Sequence, residues 1–282
     1  MNAGMKKEWM MIAGAFLLSS CVPDPLDVKN VPSLQPHIVV SSQVIPGQSI
    51  AVLLTKSIGA LEAGSGTDAQ TLLNEIVIND ASVTISYQGK TDTLQFISTG
   101  VYGSATTPLI AGEEYRLMVS SPSMGSVSAS TFMKPQVKFE SVDAHLYVTG
   151  NDTLAKVNYI FNDPPGKNWY MIDVQRFRSR QDLTQQLNPR IFIKIQTDDG
   201  FDGLSHHDSL TVPFRRFSEG DTVAVVLANI SEEYYHYLSV SLDNRNSVSA
   251  LVSEPLNLPT NVQNGYGYFN MHFPDVKVFR MK

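Results

Sequence analysis

A chain of 282 residues has room for one large domain or two ordinary ones, and 43% hydrophobic against 17% charged residues excludes an intrinsically disordered protein. The formal net charge is −6, with 27 acids, 21 bases and no block of like charge. That balance excludes a general nucleic-acid binder, which needs an excess of Lys and Arg to neutralise phosphates.

The first element is a leader. Lys6 and Lys7 form a basic start, Trp9 to Leu18 an apolar run, and Ser19 and Ser20 a small-residue end. The run is about ten residues, half of the ~20 that a bilayer-spanning helix needs, so the layout predicts a signal peptide over residues 1–20, with Met1 or Met5 as its start. Leu18-Ser19-Ser20-Cys21 resembles the bacterial lipobox. The resemblance implies a diacylglycerol on the Cys21 sulfur, cleavage before Cys21 and an acylated new amino terminus. Cys21 is the one cysteine of the chain and has no partner for an intramolecular disulfide. Three acyl chains would hold firmly, since each buried CH₂ contributes ~0.8 kcal/mol. Residues 21–34, broken by Pro23, Pro25 and Pro32, read as an extended tether.

Strands dominate from there. Ile38/Val40/Ser42/Val44, Ile50/Val52/Leu54, Val83/Ile85/Tyr87 and Tyr115/Leu117/Val119 each alternate with other residues at period two, the mark of a half-buried strand. Pro46-Gly47, Gln88-Gly89 and Ala111-Gly112 separate them as turns. Residues 35–134 are therefore expected to form an immunoglobulin-like β-sandwich. Gly59–Asn74 interrupts it as a long loop, either functional or a tolerated insertion.

Residues 135–282 read as a second β-rich domain. Its strands carry Val157/Tyr159/Phe161, Tyr170/Ile172/Val174 and Ile191/Ile193/Ile195, and a run at Val223–Ala228 that is apolar on both faces and so belongs in a sheet centre. The period then changes. Tyr234, Tyr237, Leu238 and Leu242 share one face of a helix, with Ser231 as its N-cap and Glu232 and Glu233 at the positive end of its dipole. The fold class expected is mainly β, a sandwich followed by a β-rich domain with one short helix.

Candidate sites are few. His206, His207 and Asp208 are adjacent, and neighbours on a strand face opposite ways, so the reading is a polar loop before the strand at Ser209–Phe214 and not a metal centre. Asp198, Asp199 and Asp202 around Gly200 and Gly203 lack the EF-hand order and its distal Glu, and read as an Asp/Gly turn. No G-x-S-x-G or H-E-x-x-H is present, so no catalytic residue, metal or cofactor is expected and the chain is read as a non-enzyme. Tyr266, Tyr268 and Phe269 form a candidate partner or ligand surface; the alternation of the two tyrosines equally suits a core, or a corner around Gly265 and Gly267.

Several stretches resemble a family in their order and spacing: the Cys21 start, Gly100–Ser104 (GVYGS) with Gly112–Leu117 (GEEYRL), Phe161–Ile172 (FNDPPGKNWYMI), Asp198–Gly203 (DDGFDG), Ile230–Leu238 (ISEEYYHYL) and Ser253–Asn270 (SEPLNLPTNVQNGYGYFN). The family is DUF4249, lipoproteins of Bacteroidetes type. The resemblance implies an outer-membrane lipoprotein of a kind often encoded beside TonB-dependent receptors, and it carries over no catalytic residue. The expected function is that of a lipid-anchored, non-enzymatic accessory of a TonB-dependent transporter in the outer membrane. The alternatives are a surface module capturing glycan or peptide and, further off, a hydrolase on a β-scaffold.

Overall fold

Period-two patterning becomes burial in the computed structural model of the chain. Along Glu114–Ser121, Tyr115, Leu117, Val119 and Ser121 are buried, while Glu114, Arg116, Met118 and Ser120 face out. The structure describes residues 35–44, 50–58, 74–177, 192–212, 217–246 and 258–282. The predicted leader and tether with Cys21, the Pro46-Gly47 turn and residues 59–73 of the predicted loop lie outside the described residues.

In chain order the strands are β1 (Ile38–Gln43), β2 (Ile50–Lys56), β3 (Ser82–Tyr87), β4 (Lys90–Thr93), β5 (Gln95–Ser98), β6 (Val101–Ser104), β7 (Glu114–Ser121), β8 (Gly125–Phe132) and β9 (Phe139–Thr149). They continue as β10 (Asp152–Asn162), β11 (Trp169–Phe177), β12 (Phe192–Thr197), β13 (Ser205–Val212) and β14 (Thr222–Ile230). Helix α1 (Glu232–Asn246) follows, then β15 (Val262–Gln263), β16 (Tyr266–Tyr268) and β17 (Asp275–Arg280). The fold is mainly β, as the sequence predicts.

Two five-stranded sheets, β16-β1-β2-β6-β5 and β15-β8-β7-β3-β4, enclose one core. Ile38, Val40, Val52 and Leu54 of the first meet Val83, Ile85, Leu117 and Val119 of the second. Tyr115, fully buried at the start of β7, donates its hydroxyl to Pro108 O at 2.7 Å and accepts from Ile110 N–H at 2.9 Å. This is the tyrosine corner of immunoglobulin-like sandwiches. Strands β15 and β16 come from the far end of the chain: β15 pairs with β8, and β16 lies parallel to β1 with Val40 opposite Gly267. The approach is so close that a Cβ on Gly267 would overlap the Val40 carbonyl, and its φ of +87° is one that side chains rarely adopt.

The second core lies between β13-β10-β9 and β12-β11-β14-β17. Val157, Tyr159 and Phe161 of β10 pack on Tyr170, Ile172, Val174 and Leu227. Strand β14 is central between β11 and β17 and buried on both faces. Its outer face, through Ala228 and Ile230, receives Leu238, Tyr234 and Tyr237 of α1.

Two segments run between the cores and are tied to each other. Gln136 Nε2 donates to Pro274 O at 2.9 Å, and Asp275 Oδ2 accepts the Phe139 N–H at 2.9 Å. Ser42 Oγ accepts the Asn270 N–H at 2.7 Å.

One sequence reading is corrected. His206, His207 and Asp208 are not in a loop but inside β13, where His207 pairs with Ile160 and Asp208 with Tyr159. Cross-strand bonds to β10 and the stacking of His206 on Phe201, 3.9 Å between centroids, override the polar composition. Among the described residues no helix is long and apolar enough to cross a membrane.

Candidate ligand-binding cleft

Helix α1 starts at a built cap. Ser231 Oγ accepts the Tyr234 N–H at 3.2 Å, and Glu232 and Glu233 occupy the first turn, where the helix dipole favours negative charge. The next residues set Tyr234 and Tyr237 against Tyr268 of β16, with ring centroids 5.3 and 4.9 Å apart. Burial, then the nearby Glu233 carboxylate, push the Tyr268 hydroxyl up to about 12, and a hydrogen bond with Ser231 works the other way.

Beside this aromatic floor opens a cleft of about 760 Å³. Glu114 of β7 with Thr131 and Phe132 of β8 form one wall, and Ser231, Glu233 and His236 another. Pro259–Asn261 closes a third side, braced by Asn261. That side chain donates to Ser130 O and Phe269 O, both at 2.8 Å, and accepts the Phe269 N–H at 2.9 Å. The cleft therefore stands on strands and a helix cap, and its lining is placed before any ligand arrives.

Among the described residues the lining contains no Lys or Arg. Glu114 pairs with Arg116 at 2.9 Å and His236 sits 3.6 Å from Glu232, whereas Glu233 has no ion pair among the described residues. Ser231 serves the helix cap and Tyr268, and among the described residues no serine–histidine pair forms here.

The three aromatic candidates do not share one surface. Tyr268 lines the cleft. Tyr266 is 52% exposed and meets the His37 ring edge-on at 5.3 Å, while Phe269 is fully buried in the first core. Glu114 and Phe132 carry no sequence signal of the cleft, and Glu233 is legible only as a dipole partner.

A second acidic cluster lies at the β10–β11 and β12–β13 turns, where carboxylate oxygens of Asp163, Asp198 and Asp202 come within 4.8 Å of one another. Protein groups take five of the six oxygens: Tyr170 OH and Gly203 N–H on Asp163, Lys167 and Asn168 N–H on Asp198, and Gly166 N–H on Asp202. Lys167 also reaches Asp199 at 2.5 Å. The acids here brace two turns against each other.

Five of the stretches that carry the family resemblance thus meet at two places. Phe161–Ile172 and Asp198–Gly203 build the brace; Glu114 of Gly112–Leu117, Ile230–Leu238 and the described part of Ser253–Asn270 build the cleft. A family model described as a domain of unknown function, DUF4249, matches residues 24–272. The chain belongs to the DUF4249 family. The DUF4249 match holds the buried residues of the first core, those of the second except Met281, the brace and every described cleft residue, and it begins three residues after Cys21. Among curated proteins no match was found.

One more polar group sits inside this DUF4249 chain, between β10, β12 and β13. Lys194 donates to Asp208 and to the Tyr159 hydroxyl, which donates to Asp208 at 3.2 Å, and His206 Nε2 lies 3.6 Å from Asp208. Burial raises Asp208, but hydrogen bonds from Lys194 and the Ser209 N–H outweigh it and hold the carboxyl below its usual range. Burial likewise lowers His206. The ion pair closes the sheet edge over the Tyr159 hydroxyl, which needs a polar partner in the core.

Proposed function

We propose that this DUF4249 protein is a lipid-anchored, non-enzymatic accessory of a TonB-dependent transporter in the outer membrane, and that the cleft is its docking place. The observation that carries the reading is the convergence at one preformed recess of three stretches that mark the family resemblance, Gly112–Leu117, Ile230–Leu238 and the described part of Ser253–Asn270. The leader pattern ending at Cys21 supports the anchor. An acylated Cys21 would confine the body to the plane of the membrane beside the receptor. Confinement raises effective concentration, so a modest interface suffices.

The test is recovery of a receptor with the tagged protein from solubilised outer membranes. A TonB-dependent receptor should co-purify with the wild type and be lost with Cys21→Ala, which should also leave the membrane fraction. Recovery of no such receptor, or equal recovery without the lipid, overturns the role.

A second reading, capture of a glycan or peptide ahead of transport, is favoured by the size of the cleft. Its ~760 Å³ lies within the roughly 300–1,000 Å³ of small-ligand sites. Binding of one ligand class on a mixed array in the absence of receptor would select it.

A further inference from the structure

We infer that the cleft recognises an organic cation: an ammonium or guanidinium group carried on an apolar stem. The inference deepens the reading of the cleft as a docking place and rests on it. Three observations converge. First, among the described residues the charged side chains of the lining are two carboxylates, Glu114 and Glu233, beside the His236 imidazole, with no Lys or Arg to receive an anion. Second, Glu114 already shares its charge with Arg116, but Glu233 is uncompensated by any side chain among the described residues. The helix dipole offsets at most about half a unit charge at this end, and Glu232 stands there as well, so the field at the cleft stays negative. Third, apolar surface faces the acids: Phe132 is half exposed, and Tyr268 and Pro259 line the same space. A carboxylate supplies a charge-assisted hydrogen bond, a ring face attracts a cation, and the apolar wall covers its stem. A neutral sugar would leave Glu233 without a charged partner, and an acidic peptide would be repelled.

Calorimetric titration of the full-length lipidated protein in detergent tests this, with terminally blocked Ala-Arg-Ala and with spermidine as the two sources of cation. Blocked Ala-Glu-Ala and maltotriose are the competitors. Saturable binding of the tripeptide, the polyamine or both is expected, weakening with added salt, and absent or far weaker for the competitors. The two cation arms tell a peptide source from a free amine. Glu233→Gln should weaken binding about tenfold, the scale of one charge-assisted hydrogen bond. Glu219→Gln, an exposed acid away from the cleft, should change nothing. If Glu233→Gln melts at a lower temperature than wild type, Glu114→Gln supplies the same comparison. No saturable binding of either cation, equal binding of a competitor, or cation affinity indifferent to both substitutions overturns the inference. Receptor recovery unchanged alongside such a failure would leave the accessory role standing, and lost recovery with cation binding intact would do the reverse.

Discussion

The cleft and the turn brace are both acidic, and both join stretches remote in sequence, yet they use their carboxylates in opposite ways. At the brace, Asp163 and Asp198 are almost fully buried and their four oxygens are met by a tyrosine hydroxyl, a lysine and backbone N–H groups. At the cleft, Glu233 faces a recess with no side-chain partner among the described residues. A carboxylate matched by its own chain is part of the scaffold. One left facing an open, partly apolar recess is available to something else.

That contrast can be broken from the cleft side first. Gly267→Ala should cost about 4 kcal/mol in denaturant unfolding, because the new Cβ meets the Val40 carbonyl at a φ of +87°. The strand that carries Tyr268 would be displaced; a loss under 1 kcal/mol would show that β16 is not held where the structure puts it.

The segment that runs between the two cores carries a pH signature. His272 is buried, and burial alone holds its imidazole down to about 4. Above the ordinary value near 6.5 it is neutral in both states and costs nothing. As pH falls from 6.5 toward 4, the unfolded chain takes up a proton that the folded one refuses. Stability should therefore drop by on the order of 3 kcal/mol across that window. His272→Gln should flatten this dependence, read from urea midpoints at pH 7.5 and 4.5; an unchanged slope would assign it elsewhere.

The brace is sharpened by Asp198→Asn, which removes the charge that Lys167 meets at 2.8 Å and disturbs the acceptor of the Asn168 N–H. It should cost about 2 kcal/mol and leave ligand binding at the cleft intact. Glu233→Gln should do the opposite, with less than about 1 kcal/mol of stability lost, the worth of one acid at a helix start. Thermal melts and titrations on both variants would separate scaffold from site; parallel losses in both assays would merge them.

What the sequence disclosed follows from how local each signal is. Strand β7 was readable because Tyr115, Leu117 and Val119 alternate with polar residues, and α1 because Tyr234, Tyr237 and Leu238 recur at helical spacing behind Ser231. Strand β8 gives no such signal: its inward residues are Val127, Ala129 and Thr131 amid serines, too little apolar contrast to announce a strand. Strands β15 and β16 span two and three residues, below the reach of any periodicity, and their place is fixed by partners more than a hundred residues away. Asp198 and Asp202 were legible as a turn, but the bonds from Tyr170 and Gly166 that make the brace exist only in three dimensions. Of the cleft, Tyr268 was a candidate from its aromatic setting, while Glu114 and Phe132 reach it only because β7 begins and β8 ends beside α1.

The parallel seam between β1 and β16 has a mechanical consequence. β1 is the first described strand of the body, and β16 carries Tyr268 into the cleft. A lipid gripping the amino terminus and a partner gripping the cleft would pull these neighbours lengthwise in opposite senses. Tension so applied shears all the bonds of the seam at once instead of unzipping them singly. Under the accessory role proposed above, this is the seam that would bear the load.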